Sequence, residues 1–124
     1  KSMKILVTDD SKMARKMVIK TLNEEIEKDL EIFEAQNGQE ALDLYKEILP
    51  TIVFLDLTMP IMDGFTALEK IKEFDKNAKV VVISADIQKL SMDRVLQLGA
   101  FNFVKKPIDS SKMKQIFEKL NGKA

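Results

Sequence analysis

The sequence predicts an α/β fold in which a parallel sheet is covered by helices. Short apolar runs recur, at Ile5-Leu6-Val7, Ile52-Val53-Phe54-Leu55 and Val80-Val81-Val82-Ile83. A continuous apolar run of this length, bounded by turn signals, reads as a strand buried on both faces. Amphipathic stretches at helical spacing separate the runs, and strands alternating with helices of this length make βαβ units. Right-handed crossovers then point every strand the same way.

The first strand is Lys4 to Thr8, ended by Asp9-Asp10-Ser11. Ser11 suits the cap of a helix that carries Ala14, Met17, Val18 and Leu22 at helical spacing. Leu30 to Ala35 is the second strand, and its Glu31 and Glu34 suggest a sheet edge, where charge discourages pairing with other chains. Asn37 followed by Glu40 signals a capping box. The helix behind it places Ala41, Leu42, Tyr45, Ile48 and Leu49 on one face, and Pro50 stops it. The Ile52–Leu55 strand runs straight into Asp56 and a turn built on Pro60 and Asp63-Gly64.

The next helix turns Phe65, Leu68, Ile71 and Phe74 inward, and Asp75-Lys76-Asn77 is a turn. The Val80–Ile83 strand ends on Ser84. A helix around Lys89–Leu98 buries Met92, Val95 and Leu96, with Gly99 suited to the residue past its end. Phe101 to Val104 is a fifth strand whose alternation suits the other edge, ended by Lys105-Lys106-Pro107. Asp109 or Ser110 caps a last helix with Met113, Ile116, Phe117 and Leu120 inward. Met13, Met17, Met92 and Met113 fall at core spacings and read as packing.

Composition narrows the function. Lys+Arg and Asp+Glu both total 20, so no global field suggests nucleic acid or an anionic membrane as the main partner. The chain has no cysteine and no histidine, which removes thiol catalysis, Cys/His zinc sites and Ser-His-Asp triads. It also cannot itself donate a phosphoryl group from histidine. No apolar run approaches the length of a membrane span, and there is no signal-peptide pattern, so a cytoplasmic domain is the expectation. Lys1-Ser2 before Met3 reads as a cloning remnant, and residues 3–122 as one domain.

The parallel topology gathers Asp9, Asp10, Asp56, Ser84 and Lys106 at the carboxyl ends of the strands, where open α/β sheets bind ligands. Converging carboxylates raise each other's pKa unless a cation sits among them. The cluster therefore implies a divalent-metal site of the oxygen-rich kind that Mg²⁺ takes. Phosphoryl transfer needs positioning and neutralisation of three equatorial oxygens. Metal, Lys106 and the Ser84 hydroxyl supply one partner each, and Asp56 supplies the attacking oxygen. Singly, each residue has a plainer reading. Asp9-Asp10 suits a turn and helix cap, Ser84 a strand end, Lys106 a solvated lysine and Phe103 edge packing. Their joint placement favours function.

These residues resemble those of response-regulator receiver domains of the single-domain, CheY-like type. The matching pieces are Asp9-Asp10, Asp56 with Met59-Pro60 and Asp63-Gly64, Ser84-Ala85, Gly99-Ala100 and Lys106-Pro107. The resemblance spans Lys4 to Leu120 and implies a doubly wound, flavodoxin-like sheet of order 2-1-3-4-5. It implies that Asp56 is phosphorylated by a histidine kinase or histidine phosphotransfer protein. It makes Asp10 a direct Mg²⁺ ligand and Asp9 an assisting one, with Asp56 and the Thr58 carbonyl completing the protein's share. Lys106 pairs with the phosphoryl oxygens, and a cis peptide before Pro107 is expected. Ser84 and Phe103 form the switch to a partner face on the fourth helix, fifth strand and fifth helix. Thr58 and Asp86 tune the lifetime of the phosphoryl group. The expected protein is a monomer that catalyses only its own phosphorylation and dephosphorylation.

Other classes fit less well. An aspartyl-phosphate phosphatase usually carries a second acid two residues past the nucleophile, and Thr58 stands there. A dinucleotide or flavin module needs a phosphate cradle after the first strand, where this chain has two aspartates. A receiver cut from a larger regulator, and a receiver-like scaffold that does not switch, stay open.

Overall fold

The computed structural model describes residues 2–85 and 87–122. Strand β3 (Ile52–Leu55) carries four apolar side chains in succession, and all four are buried. That requires a central strand covered on both faces. Its neighbours are β1 (Met3–Thr8) and β4 (Val80–Ser84), with β2 (Leu30–Ala35) beyond β1 and β5 (Asn102–Lys105) beyond β4. The order is β2-β1-β3-β4-β5, and every pairing is parallel. The glutamate-bearing strand and the Asn102 strand take the two edges, as their sequences suggest.

Alternate residues on each strand feed two cores. Leu6, Val53, Leu55, Val80 and Val82 face α2 (Gly38–Ile48), α3 (Gly64–Phe74) and α4 (Lys89–Gln97). Ile5, Val7, Phe54, Val81 and Ile83 face α1 (Lys12–Glu25) and α5 (Ser110–Leu120). Burying a side chain of this size contributes about 1.5–3 kcal/mol.

The starts of α1, α2, α3 and α5 each have a capping side chain. Ser11, Asn37, Asp63 and Asp109 accept from Ala14, Glu40, Thr66 and Lys112 backbone N–H groups. Such a cap contributes about 1 kcal/mol. The Glu40 side chain reaches back past the cap, accepting from Gln36 N at 2.9 Å. Gly99 follows α4 with φ 97°, the left-handed residue past a helix end.

Several inward assignments are corrected. Met13 and Met17 are exposed, because α1 turns Arg15, Val18 and Leu22 toward the sheet instead. Leu49 is exposed because it is the C-cap of α2 at φ 48° and leaves the helical phase. Phe74, the last residue of α3, lies half out, edge-on to Tyr45 with ring centroids 6.3 Å apart. Leu96 is exposed because α4 docks on a narrow front, with Val95 its one fully buried residue and Met92 only partly covered. Among the described residues, no helix is long and apolar enough to cross a membrane.

Candidate functional site

Four adjacent strands end at one place. Asp9 and Asp10 follow β1, Asp56 follows β3, Ser84 closes β4 and Lys106 follows β5. Backbone hydrogen bonds continue past the strands and hold these ends level. Asp9 N donates to Ala35 O at 3.1 Å, Asp56 N to Thr8 O at 3.0 Å and Lys106 N to Ser84 O at 2.9 Å.

One carboxylate oxygen from each of Asp9, Asp10 and Asp56 lies within 4.8 Å of the others. Asp9 and Asp56 are buried, and Asp10 is exposed at the mouth. The Lys106 ammonium lies 2.7 Å from Asp9 Oδ2 and 3.2 Å from Asp56 Oδ1. Asp9 Oδ1 accepts from Ser11 N at 2.9 Å. Burial, and then the negative charge of Asp9, push the Asp56 carboxyl above the usual carboxylate range, against the pull of Lys106. Burial works against the charge on Lys106, but the Asp9 and Asp56 carboxylates outweigh it and raise the ammonium above its ordinary range. Hard oxygen donors at this spacing are the kind that Mg²⁺ and Ca²⁺ take.

Gly64 shapes the loop behind Asp56. A Cβ there would fall on the Asp56 carbonyl oxygen and 2.6 Å from Leu57 Cα, while Gly64 N donates to Leu57 O at 2.8 Å. The chain must therefore pass its own strand end without a side chain.

The remaining expected residues fall as follows. Ser84 is buried at the end of β4, one strand from Lys105 in register. Thr58 is exposed, two residues past Asp56. Phe103 is half-buried against the core under α4. The Lys106–Pro107 bond is cis. Asp86 lies outside the described residues.

Sequence reasoning missed Arg15. The residue is 7% exposed, its side chain donating from Nε to Glu34 Oε1 at 2.8 Å and from Nη1 to the Asp9 carbonyl at 2.8 Å. The signal was present. Arg15 precedes Val18 and Leu22 by three and seven positions, and Glu34 follows Ile32 by two, so opposite charges sit at core-facing positions of neighbouring elements.

The response regulator receiver domain family matches residues 5–118. This chain is a member of that family. The receiver domain is 43% identical over 113 residues to chemotaxis protein CheY of Treponema pallidum (strain Nichols), covering 89% of this chain and 76% of that one. It is 36% identical over 117 residues to CheY of Bacillus subtilis (strain 168), covering 94% and 95%. A solved relative is CheY of Borrelia burgdorferi in a complex with CheX, BeF3 and Mg+2. That structure superposes on this receiver domain with a TM-score of 0.88 at 37% identity, covering 96% of this chain and 89% of that one.

Proposed function

We propose that this receiver domain is a phosphorylation switch of a two-component pathway, with Asp56 as the phosphoryl acceptor. The observation that carries the reading is the convergence of buried Asp56 with Asp9, Asp10 and Lys106.

The reaction balances simply. An Asp56 carboxylate oxygen attacks phosphorus on a phosphohistidine of a kinase or phosphotransfer protein. The P–N bond breaks, its electron pair returns to the imidazole, and an acyl phosphate forms on Asp56. Water later attacks the same phosphorus, releasing inorganic phosphate and restoring the carboxylate. The donor histidine comes from outside, since the chain has none.

Asp9, Asp10 and Asp56 would hold Mg²⁺, with the Thr58 carbonyl as a further oxygen donor. The three-carboxylate donor set fits that ion. Bound there, Mg²⁺ supplies positive charge to the phosphoryl oxygens. Lys106, within 3.2 Å of Asp56, holds a second positive charge on the same side. The Ser84 hydroxyl donates to a phosphoryl oxygen, and Thr58 and Asp86 tune the lifetime of the acyl phosphate. Burial keeps bulk water from Asp56.

The added charge draws Ser84 toward the site and lets Phe103 settle further inward, altering the α4–β5–α5 face that meets a downstream protein. The likeness to chemotaxis CheY proteins supports a cytoplasmic, chemotaxis-type role.

Intact mass after incubation with acetyl phosphate tests the reading. The expected result is a labile gain of one phosphoryl group, present with Mg²⁺, absent with chelator and absent in Asp56→Asn. Uptake that persists in Asp56→Asn would overturn the assignment. So would a chain that takes no phosphoryl group from acetyl phosphate or from any phosphohistidine donor.

A further inference from the structure

We propose that Arg15 is a positioning residue for the carboxylate cluster, fixing Asp9 through its main chain, and that Glu34 holds Arg15 in place. The inference rests on the receiver reading and extends its machinery to an α1–β2 ion pair outside the strand-end loops.

A buried arginine must be paired, and Arg15 has two partners of different kinds. Its Nε donates to Glu34 Oε1 on the edge strand at 2.8 Å, and its Nη1 to the Asp9 carbonyl at 2.8 Å. A guanidinium is a rigid planar fork, so binding both acceptors fixes one relative to the other. The Asp9 main chain is thereby gripped from both sides, its N–H donating to Ala35 O at 3.1 Å and its C=O accepting from Arg15. With the backbone held, the carboxylate takes Ser11 N on one oxygen and Lys106 on the other.

Glu34 stays ionised for this task. Its hydrogen bonds from Arg15 and then Lys16 hold its carboxyl below the usual range. Lys16 reaches Glu34 Oε2 at 3.0 Å but is itself exposed.

A staple that merely joined α1 to β2 would affect melting and nothing else. A positioning residue also affects what Asp9 does. Groups that orient metal-binding side chains typically alter affinity by 10–100-fold when removed.

The test is a Mg²⁺ titration followed by backbone amide NMR, with the Lys106 ammonium signal and a thermal melt recorded on each sample. Arg15→Met is expected to raise the Mg²⁺ midpoint roughly tenfold and to shift the Lys106 signal. Arg15→Lys, which keeps the charge without the fork, should recover only part of the affinity. Glu34→Gln should weaken Mg²⁺ less than Arg15→Met, and Lys16→Ala should leave it at the wild-type value. A variant Arg15→Met that melts earlier while keeping the wild-type midpoint and Lys106 signal would overturn the inference. Should Arg15→Met fail to fold, unchanged values in Glu34→Gln overturn it equally. A wild-type protein with no Mg²⁺ response sinks the receiver reading, whereas the Lys106 signal still decides whether Arg15 positions Asp9.

Discussion

Lys106 Nζ lies 2.7 Å from Asp9 Oδ2, closer than its 3.2 Å approach to Asp56 Oδ1. The lysine thus neutralises two buried carboxylates at once and leans toward the one that is not the proposed acceptor. Because its folded pKa is raised, its contribution to stability is complete below the unfolded value near 10.5 and is lost as pH climbs through the folded one. Lys106→Met would leave both carboxylates buried without their cation. The expected loss at pH 7 is about 2 kcal/mol, below the range for a fully buried pair because Lys106 is partly solvated. Acid should recover part of it by protonating Asp56, whose carboxyl is pushed above the usual range. Urea melts at pH 7 and pH 4 check this, and a loss of equal size at both would refute the electrostatic account.

Asp56→Asn should make the metal-free protein more stable at neutral pH. Burial raises the folded pKa of Asp56, with Asp9 adding to it, so folding disfavours the ionised form. A raised carboxylate costs nothing below its unfolded pKa near 3.8, and its cost grows from there and is complete above the folded value. The asparagine escapes that cost, while Lys106 keeps Asp9. A gain of ~1 kcal/mol would raise the melting temperature by a few degrees in a domain of this size. The gain should vanish near pH 3. Equal melting temperatures at pH 7 would contradict the direction assigned to Asp56.

Much of this was legible in the sequence because the decisive signals were local. Ile52–Leu55 is apolar at four successive positions, which few structures other than a central strand accept. Asp9, Asp56, Ser84 and Lys106 each stand at or just past a strand end, so knowing the strands was enough to bring them together. Helix phase was less legible. Met17 and Val18 both fit the spacing from Ala14, and only the partner surfaces decide which turns inward. Arg15 was harder to read, although its spacing from Val18 and Leu22 marks a core-facing position. A buried cation is explained by its acceptors, and those lie on the β1 loop and on β2, 6 and 19 residues away.

Thr8→Val should stabilise the fold. Thr8 is 2% exposed, and its Oγ1 has no hydrogen-bond partner among the described residues. A buried hydroxyl without a partner loses its water and gains nothing in return. Valine keeps the shape and the strand preference. Removing the unmet group should be worth about 1 kcal/mol in a denaturant titration. A loss of stability instead would mean that the hydroxyl has a partner, such as a buried water.

Ile61→Gly should also stabilise the fold, by a different route. Ile61 has φ 69° and is 83% exposed, on the loop between Asp56 and α3. Met62 N donates to Pro60 O at 2.7 Å, closing a three-residue turn around it. A β-branched residue is a poor fit to positive φ, where strain runs to about 1–3 kcal/mol. An isoleucine this exposed gains little packing to offset that. Glycine relieves the strain, though its freer unfolded chain takes back part of the gain. The net expectation is about 1 kcal/mol of added stability. Because Met62 O also accepts from Gly38 N at 3.0 Å, the relaxed turn should keep its place against α2. Thermal melts of Ile61→Gly and Ile61→Val separate the effects, since valine retains the β-branch and should melt with the parent. A glycine variant that melts no higher than the valine one would show that the turn carries no strain.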